Sequence, residues 1–257
     1  MKDKIGDKIK QYEKTITGIK LDSTIPIIIR LDGNNFSQFT KSLNKPFDIK
    51  FNELMQEVTK FALKETGYTF AYTQSDEITL VYIPKHNLNS STYHDGKVYK
   101  ILSKLSSKVS VYFNKLLPVY LPTKINESPI FDCRIFNVPN MDIVYEVLLW
   151  RFKDARRNSI LNMGYWKLSH KQIINKNTSE VIELLKSNNF YWDNEPIEFK
   201  YGTFFKSETI KSKLSIEELN ILPEKHNAHK NPELEFERNI INKTLIDNFE
   251  NLKKIIQ

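Results

Sequence analysis

The order of apolar patterns between Ile27 and Phe136 constrains the fold of this chain more than any other feature. Ile27, Ile28 and Ile29 are three β-branched residues in a row and read as a buried strand. From Ile49 to about Glu65, the residues Phe51, Leu54, Met55, Val58, Phe61 and Ala62 recur at helical spacing, which predicts a helix with one apolar face. Thr69–Tyr72 and Ile78–Ile83 are β-rich segments around a polar tip, a predicted hairpin. A helix from about Tyr99 to Leu117 and a strand over Ile130–Phe136 complete the order strand, helix, strand, strand, helix, strand. That is the split βαβ or ferredoxin-like arrangement, so the expected class is α+β, an antiparallel sheet with helices.

The topology implies chemistry. In such a sheet the first and third strands are antiparallel neighbours, and the end of one lies beside the start of the other. Asp32 ends the first strand, and Asp76-Glu77 begin the third. Carboxylates that converge in this way repel one another unless a cation neutralises them. Oxygen ligands suit Mg²⁺, which binds through one or two carboxylates plus substrate phosphates, and two such ions make the clamp used in phosphoryl transfer. Gly33 can take φ > 0, so Asp32-Gly33 predicts a sharp strand exit. Gly33, Asn34 and Asn35 can then aim backbone groups at one point, as anion-binding nests do. Taken alone, the same segment also fits a strand followed by an ordinary turn.

Several stretches together resemble the tRNA(His) guanylyltransferase family: Arg30-Leu31-Asp32-Gly33-Asn34-Asn35-Phe36, Lys45-Pro46-Phe47-Asp48, Ala71-Tyr72-Thr73-Gln74-Ser75-Asp76-Glu77, Phe131-Asp132-Cys133-Arg134-Ile135-Phe136 and Trp150-Arg151. Order and rough spacing match from near Lys2 to Thr203. The resemblance implies a polymerase-palm-like domain that joins nucleotides in the 3′-to-5′ direction. It implies metal held by the side chains of Asp32 and Asp76 and the carbonyl of Gly33, with Glu77 supporting the site from its edge. Residues 32–37 (Asp32, Gly33, Asn34, Asn35, Phe36 and Ser37) and Ser75 would wrap the triphosphate, and Lys45 would contact it. ATP, GTP or other nucleoside triphosphates are the implied substrates, two Mg²⁺ ions the cofactor, tRNA the partner and a homotetramer the assembly.

The 257-residue chain carries a net charge of +7, which favours polyanionic partners and equally fits a lysine-rich solubilising surface. Lys97, Lys100, Lys104, Lys108 and Lys115 read as such a solvated stripe on the second helix. Cys133 is the one cysteine, which excludes an internal disulfide, and its apolar strand predicts packing rather than reactivity. No apolar run reaches membrane-spanning length, and Met1–Lys20 reads as a docking helix rather than a targeting peptide, so the expected location is cytoplasmic, with no membrane partner. There is no Walker A loop, nucleophile elbow or kinase signature. Residues 1–140 read as the catalytic core with its N-terminal helix, and 141–257 as a basic region packed on it within one integrated domain.

Beyond the core, Arg151, Lys153, Arg156 and Arg157, followed by Asn158, form the best candidate for binding phosphate or RNA, against the plainer reading of salt bridges between helices. Members of the family that add guanosine to histidine tRNA carry a His-Ile-Asn-Asn-Leu-Tyr-Asn block here. This chain has Arg156-Arg157-Asn158-Ser159-Ile160-Leu161-Asn162 instead. Without the histidine, it resembles the guanylyltransferase-like subgroup, which repairs truncated tRNA 5′ ends by templated addition. Thr178–Leu185 is expected to be a helix capped by Thr178, Phe199–Lys206 a strand in which Lys200 contacts phosphate, Ser215–Leu219 a helix with a Ser215/Glu218 capping box, and Glu237–Gln257 a helix. Glu224, His226 and His229 lack the further ligands a zinc site needs. His86–Thr92 reads as a polar connection. The leading expectation is an Mg²⁺-dependent nucleotidyltransferase acting at tRNA 5′ ends after ATP activates the 5′ phosphate. The alternatives are a dedicated tRNA(His) guanylyltransferase, a nucleotide cyclase and a non-catalytic tRNA-binding module.

Overall fold

The computed structural model describes residues 4–84, 92–231 and 233–256. Most of the expected polar connection, from His86 to Ser91, lies outside them, as does Pro232. The elements in order are α1 (Lys4–Thr17), β1 (Ile27–Gly33), α2 (Phe36–Phe39), α3 (Ile49–Thr66), β2 (Phe70–Gln74), β3 (Glu77–Tyr82), α4 (Val98–Tyr120), β4 (Phe131–Asn137), α5 (Met141–Lys167), α6 (His170–Ile173), α7 (Thr178–Ser187), α8 (Ile197–Tyr201), β5 (Thr203–Lys213), α9 (Ile216–Ile221), α10 (Asn227–Lys230), β6 (Glu235–Thr244) and α11 (Glu250–Ile256).

The six strands form one sheet in the order β4-β1-β3-β2-β5-β6, with every pairing antiparallel. The first four follow the expected ferredoxin-like order. β5 continues that sheet by pairing Thr203–Lys206 with Phe70–Thr73, so the C-terminal region shares a sheet with the core. Side chains alternate across β1. Ile27, Ile29 and Leu31 pack into a core under α3 and α4. Ile28 faces the other way, into a second core with Val144, Leu148 and Phe152 of α5. Both faces are covered, which is why the first three positions of β1 are apolar without alternation. Asp48 caps α3 by accepting from the Phe51 amide at 2.9 Å, and Gly67 closes it with φ 66°.

Three expectations change in the C-terminal half. Glu237–Gln257 is not one helix: β6 pairs residue for residue with β5 from Thr244 to Glu235, and only Glu250–Ile256 is helical. The edge partner supplied by β5 overrides the charged, helix-like local pattern. Phe199–Tyr201 belongs to α8, and the strand begins at Thr203, because Gly202 at φ 79° turns the chain between them. Asn177, not Thr178, caps α7, accepting from the amides of Ser179 and Glu180. The Ser215/Glu218 capping box is present.

The N-terminal helix forms but buries none of its residues: Ile5, Ile9, Tyr12 and Ile16 are all exposed. Its apolar face is therefore left largely uncovered by the described residues of this chain. Cys133 is half-buried against the α3/α4 core, and burial pushes its thiol up to about 12. Among the described residues no helix is long and apolar enough to cross a membrane.

Candidate active site

Alternation along β1 places Arg30 and Asp32 together on the face opposite Ile29 and Leu31. The register sets Asp32 opposite Glu77 of β3 and opposite Asp132 of β4, so a row of carboxylates crosses the three strands. Two residues back along the strands, Arg30 lies opposite Arg134. Ser75 takes φ 50°, and the tight turn it makes puts Asp76 beside the end of β1, where the Asp76 carbonyl accepts the Gly33 amide at 3.2 Å. The expected meeting of Asp32 with Asp76 and Glu77 is what the sheet produces.

The carboxylates differ in their partners. Glu77 is buried and accepts from Arg30 Nη2 at 2.8 Å and Arg151 Nε at 2.6 Å. Two guanidiniums neutralise it, so its charge is spent inside the protein. Among the described residues Asp32 forms an ion pair with Arg134 alone, at 3.6 Å, and shares it with Asp132 at the same distance. Burial, with Glu77 and Asp132 adding, raises the Asp32 carboxyl above the usual range, against the pull of Arg134 and Arg30. Burial pushes Asp76 up to about 6, with smaller contributions from Asp32 and Glu77, although its own backbone amide and the Ser75 hydroxyl oppose the shift. Asp32 and Asp76 thus hold negative charge that the protein leaves poorly compensated.

This donor set fits a divalent cation completed by phosphate oxygens. Among the described residues no three His, Cys, Asp or Glu side chains form a self-sufficient metal cage, including the Glu224, His226 and His229 run. His226 instead caps α10, and His229 Nε2 lies 3.3 Å from the Leu222 carbonyl. Two carboxylates beside an exposed backbone turn are the usual protein share of an Mg²⁺ site whose other ligands come from substrate and water.

Gly33 is required for a different reason than positive φ. It remains in strand pairing with Phe131, and the left-handed residue of the turn is Asn35, at φ 58°. A Cβ on Gly33 would lie 2.4 Å from the Phe36 ring. The amides of Gly33 and Asn34 are already committed, to Asp76 and Ile130, so they are not free to form the expected nest. Asn35 precedes α2; the Gln38 and Phe39 amides donate to its carbonyl, which leaves those of Phe36 and Ser37 without an intrahelical acceptor.

A cleft of about 340 Å³ opens between the Lys45–Asp48 segment, Ser75 and α5. Ser75, Lys45, Asp48, Asn158 and the rings of Phe47 and Phe199 line it, and the two rings stack at 4.9 Å. Asn162 Nδ2 donates to the Pro46 carbonyl at 2.6 Å and ties α5 to the Lys45–Asp48 wall. Lys45 Nζ donates to the Thr40 carbonyl at 2.8 Å and sits 5.2 Å from the Trp166 ring. Burial lowers its pKa, with Asp48 opposing.

The expected basic patch divides in two. Arg151 does not belong to it: the guanidinium is buried and holds Glu77 and Asp154. It reads as exposed in sequence because it adjoins Lys153, Arg156 and Arg157, yet one turn of helix separates the buried face from the solvent face. Arg157 is exposed and pairs with Asp154 at 2.7 Å. Arg156 and Lys200 come together on the Trp192 ring, at 5.2 and 5.4 Å. Sequence reasoning missed Asp132 and Arg134 as site residues. The signal was their spacing of two on a strand, the same spacing as Arg30 and Asp32.

The geometry can be set beside known proteins. The family model for tRNA(His) guanylyltransferase matches residues 6–139. The chain belongs to the tRNA(His) guanylyltransferase family. Members are nucleotidyltransferases, and the solved structures of the family have a palm-like fold. An uncharacterised protein of Acanthamoeba polyphaga mimivirus is 34% identical over 81% of this chain and 78% of its own length. The tRNA(His) guanylyltransferase of Schizosaccharomyces pombe is 30% identical over 62% of this chain and 59% of its own. Among solved structures, a bacterial tRNA(His) guanylyltransferase-like protein in complex with ATP superposes with a TM-score of 0.74 at 31% identity, covering 79% of this chain and 87% of the other. A bacterial guanylyltransferase-like protein in complex with GTP gives 0.72 at 25% identity, covering 99% and 97%.

Proposed function

We propose that this protein is an Mg²⁺-dependent 3′–5′ nucleotidyltransferase that repairs the 5′ end of tRNA by templated addition. The observation that carries the reading is the meeting of Asp32 and Asp76, both poorly neutralised, with Ser75, the residue before Asp76, lining a cleft of about 340 Å³. Bound Mg²⁺ would offset phosphate charge and polarise the reacting phosphoryl group. Asp32, Asp76 and the Gly33 carbonyl would hold it. Ser75, Asn34, Asn35, Phe36 and Ser37 would border the triphosphate, and Lys45 and Asn158 would line its approach. The stacked Phe47 and Phe199 rings would offer a flat apolar wall for a base. Such chemistry rests mainly on positioning and electrostatics, which a rigid sheet end supplies well.

ATP would first activate the RNA 5′-monophosphate with release of pyrophosphate. The 3′-hydroxyl of an incoming nucleotide would then attack the activated phosphate, losing its proton to solvent, and AMP would leave. Arg156, Arg157 and Lys200 are the basic groups left for RNA, since Arg151 is occupied. The exposed apolar face of α1 supports self-association, and a homotetramer acting in the cytoplasm is the assembly this reading adopts. Templating rather than dedicated guanosine addition follows from the Arg156–Asn162 block, which lacks a histidine.

The test is a tRNA lacking its first 5′ nucleotide, carrying a 5′-monophosphate, incubated with ATP, Mg²⁺ and all four nucleotides. The base opposite the vacancy is varied through its four identities. Product that follows the opposing base is expected, with addition stopping once the acceptor stem is paired. Guanosine added whatever the opposing base, and only to histidine tRNA, would overturn templated repair.

A further inference from the structure

Three arginines stand at the row of carboxylates, and they are held differently. Arg151 is buried and Arg30 largely so, and they bind Glu77 at 2.6 and 2.8 Å. The Arg134 side chain is 54% exposed, on β4 at the edge of the sheet, and its Nη2 lies 3.6 Å from Oδ2 of Asp32 and 3.6 Å from Oδ2 of Asp132. Both distances are too long for a good hydrogen bond. The guanidinium is therefore suspended between two carboxylates and fixed by neither. Asp32 and Asp132 occupy directly opposed positions on β1 and β4, so their spacing is set by the sheet and not by side-chain freedom.

We infer that Arg134 is a substrate-phosphate ligand that stands in for the cation at Asp32 until metal and substrate arrive, and that Asp132 is its positioning residue. This rests on the proposed nucleotidyltransferase reading. A divalent cation at Asp32 removes the attraction that draws Arg134 there and repels the guanidinium. Asp132 then keeps the freed side chain at the sheet edge, beside the reacting centre. A guanidinium presents a planar fork of donors that matches phosphate oxygens, and an exposed one gives up little hydration to reach them. Arg30 and Arg151 cannot take this part, because moving either would strip the buried Glu77 of one of its two partners. The phosphate has two possible sources, the RNA 5′ end and the nucleoside triphosphate, and the same fork serves both.

The experiment compares wild type with Arg134→Gln, Arg134→Lys and Asp132→Asn, all first shown to melt normally. Mn²⁺ binding without nucleotide is read by electron paramagnetic resonance. Arg134→Gln removes a competitor for Asp32, so Mn²⁺ should bind about two- to five-fold more tightly, the scale of an exposed ion pair. Phosphate recognition is read as affinity for a hairpin RNA with a 5′-monophosphate against the same RNA with a 5′-hydroxyl, and for ATP against adenosine. Arg134→Gln should lose about ten-fold or more of the phosphate advantage in at least one arm, which identifies the source. Arg134→Lys should restore part of it, because a point charge replaces the fork only incompletely. Asp132→Asn should weaken the phosphate advantage without tightening Mn²⁺ as much. Unchanged Mn²⁺ affinity together with unchanged preference in both arms would overturn the inference. If wild type itself binds neither Mn²⁺ nor ATP, it is the nucleotidyltransferase reading that fails.

Discussion

Arg151 Nε donates to Glu77 Oε1 at 2.6 Å, and this contact pins α5 to the sheet at the point where Asp32 and Asp76 meet. Glu77 adjoins Asp76 in sequence and faces Asp32 in register, but its chemistry differs because its charge is satisfied. The two arginines on Glu77 let one carboxylate be buried at the end of β3 while its neighbours stay available. Breaking the set should cost stability before it costs chemistry. Glu77→Gln leaves two largely buried guanidiniums short of a partner and should destabilise the fold by about 3 kcal/mol, whereas Arg151→Met should cost less, because Arg30 still pairs with Glu77. Urea denaturation midpoints of the two variants check the order.

The opposite behaviour is expected of Asp32→Asn and Asp76→Asn. Each removes a negative charge from a site where the neighbouring carboxylates repel it, so the apo protein should melt at the same temperature or higher. Nucleotide addition should fall by at least about 100-fold, since the lost charge would have held metal against the reacting phosphate. Retained addition by either variant at matched Mg²⁺ would remove that residue from the metal site.

Asp76 also predicts a pH dependence. Its folded pKa, about 6, lies above the ordinary 3.8. The folded protein then binds this proton more tightly than the unfolded chain does. The resulting stabilisation is complete below 3.8 and is lost as pH rises through about 6. Melts of wild type and Asp76→Asn between pH 4 and 7 should diverge in that sense, with the variant gaining on wild type as pH rises. Protons and metal compete for the same oxygens, so Mn²⁺ affinity should drop by up to about ten-fold per pH unit below about 6.

The first four strands, their order and the convergence of Asp32 with Asp76 were legible because apolar periodicity survives wherever a sheet is buried on both faces. Helix α3 was legible to within a residue for the same reason. The C-terminal half was less so. β6 is an exposed edge strand with charged residues such as Glu235, Glu237 and Arg238, so its pattern records solvent and not its partner β5. The fate of Arg151 was hidden for another reason. Burial of a charge depends on which carboxylate faces it across the tertiary structure, and no local spacing encodes the link from α5 to β3.

The two remaining exposed or half-exposed arginines of the patch carry a salt-dependence prediction. Arg157 is exposed and held by Asp154 and Asn158 beside it on α5, and Arg156 rests on Trp192, so neither is locked into the core. Replacing both with Ala should weaken RNA binding and lower the slope of log affinity against log salt by roughly 1 to 2, one for each phosphate no longer neutralised. Filter binding of tRNA across a salt series measures it. An unchanged slope would assign both arginines to the fold.

Gly33 joins the core to the chemistry. A Cβ there would meet the Phe36 ring at 2.4 Å, and that ring is 2% exposed, packed against Phe39, Phe113 and Phe131. It has nowhere to go without displacing the turn that follows Asp32. Gly33→Ala should therefore cost about 2 kcal/mol or more through overpacking and also reduce nucleotide addition, because the turn carries the carbonyl proposed to face the metal. Gly67 provides the comparison. It sits at φ 66° with open space around its Cα, so Gly67→Ala should cost about 1 kcal/mol of backbone strain and leave addition unchanged. Equal losses of stability with no difference in activity between the two variants would show that Phe36 can move independently of the site.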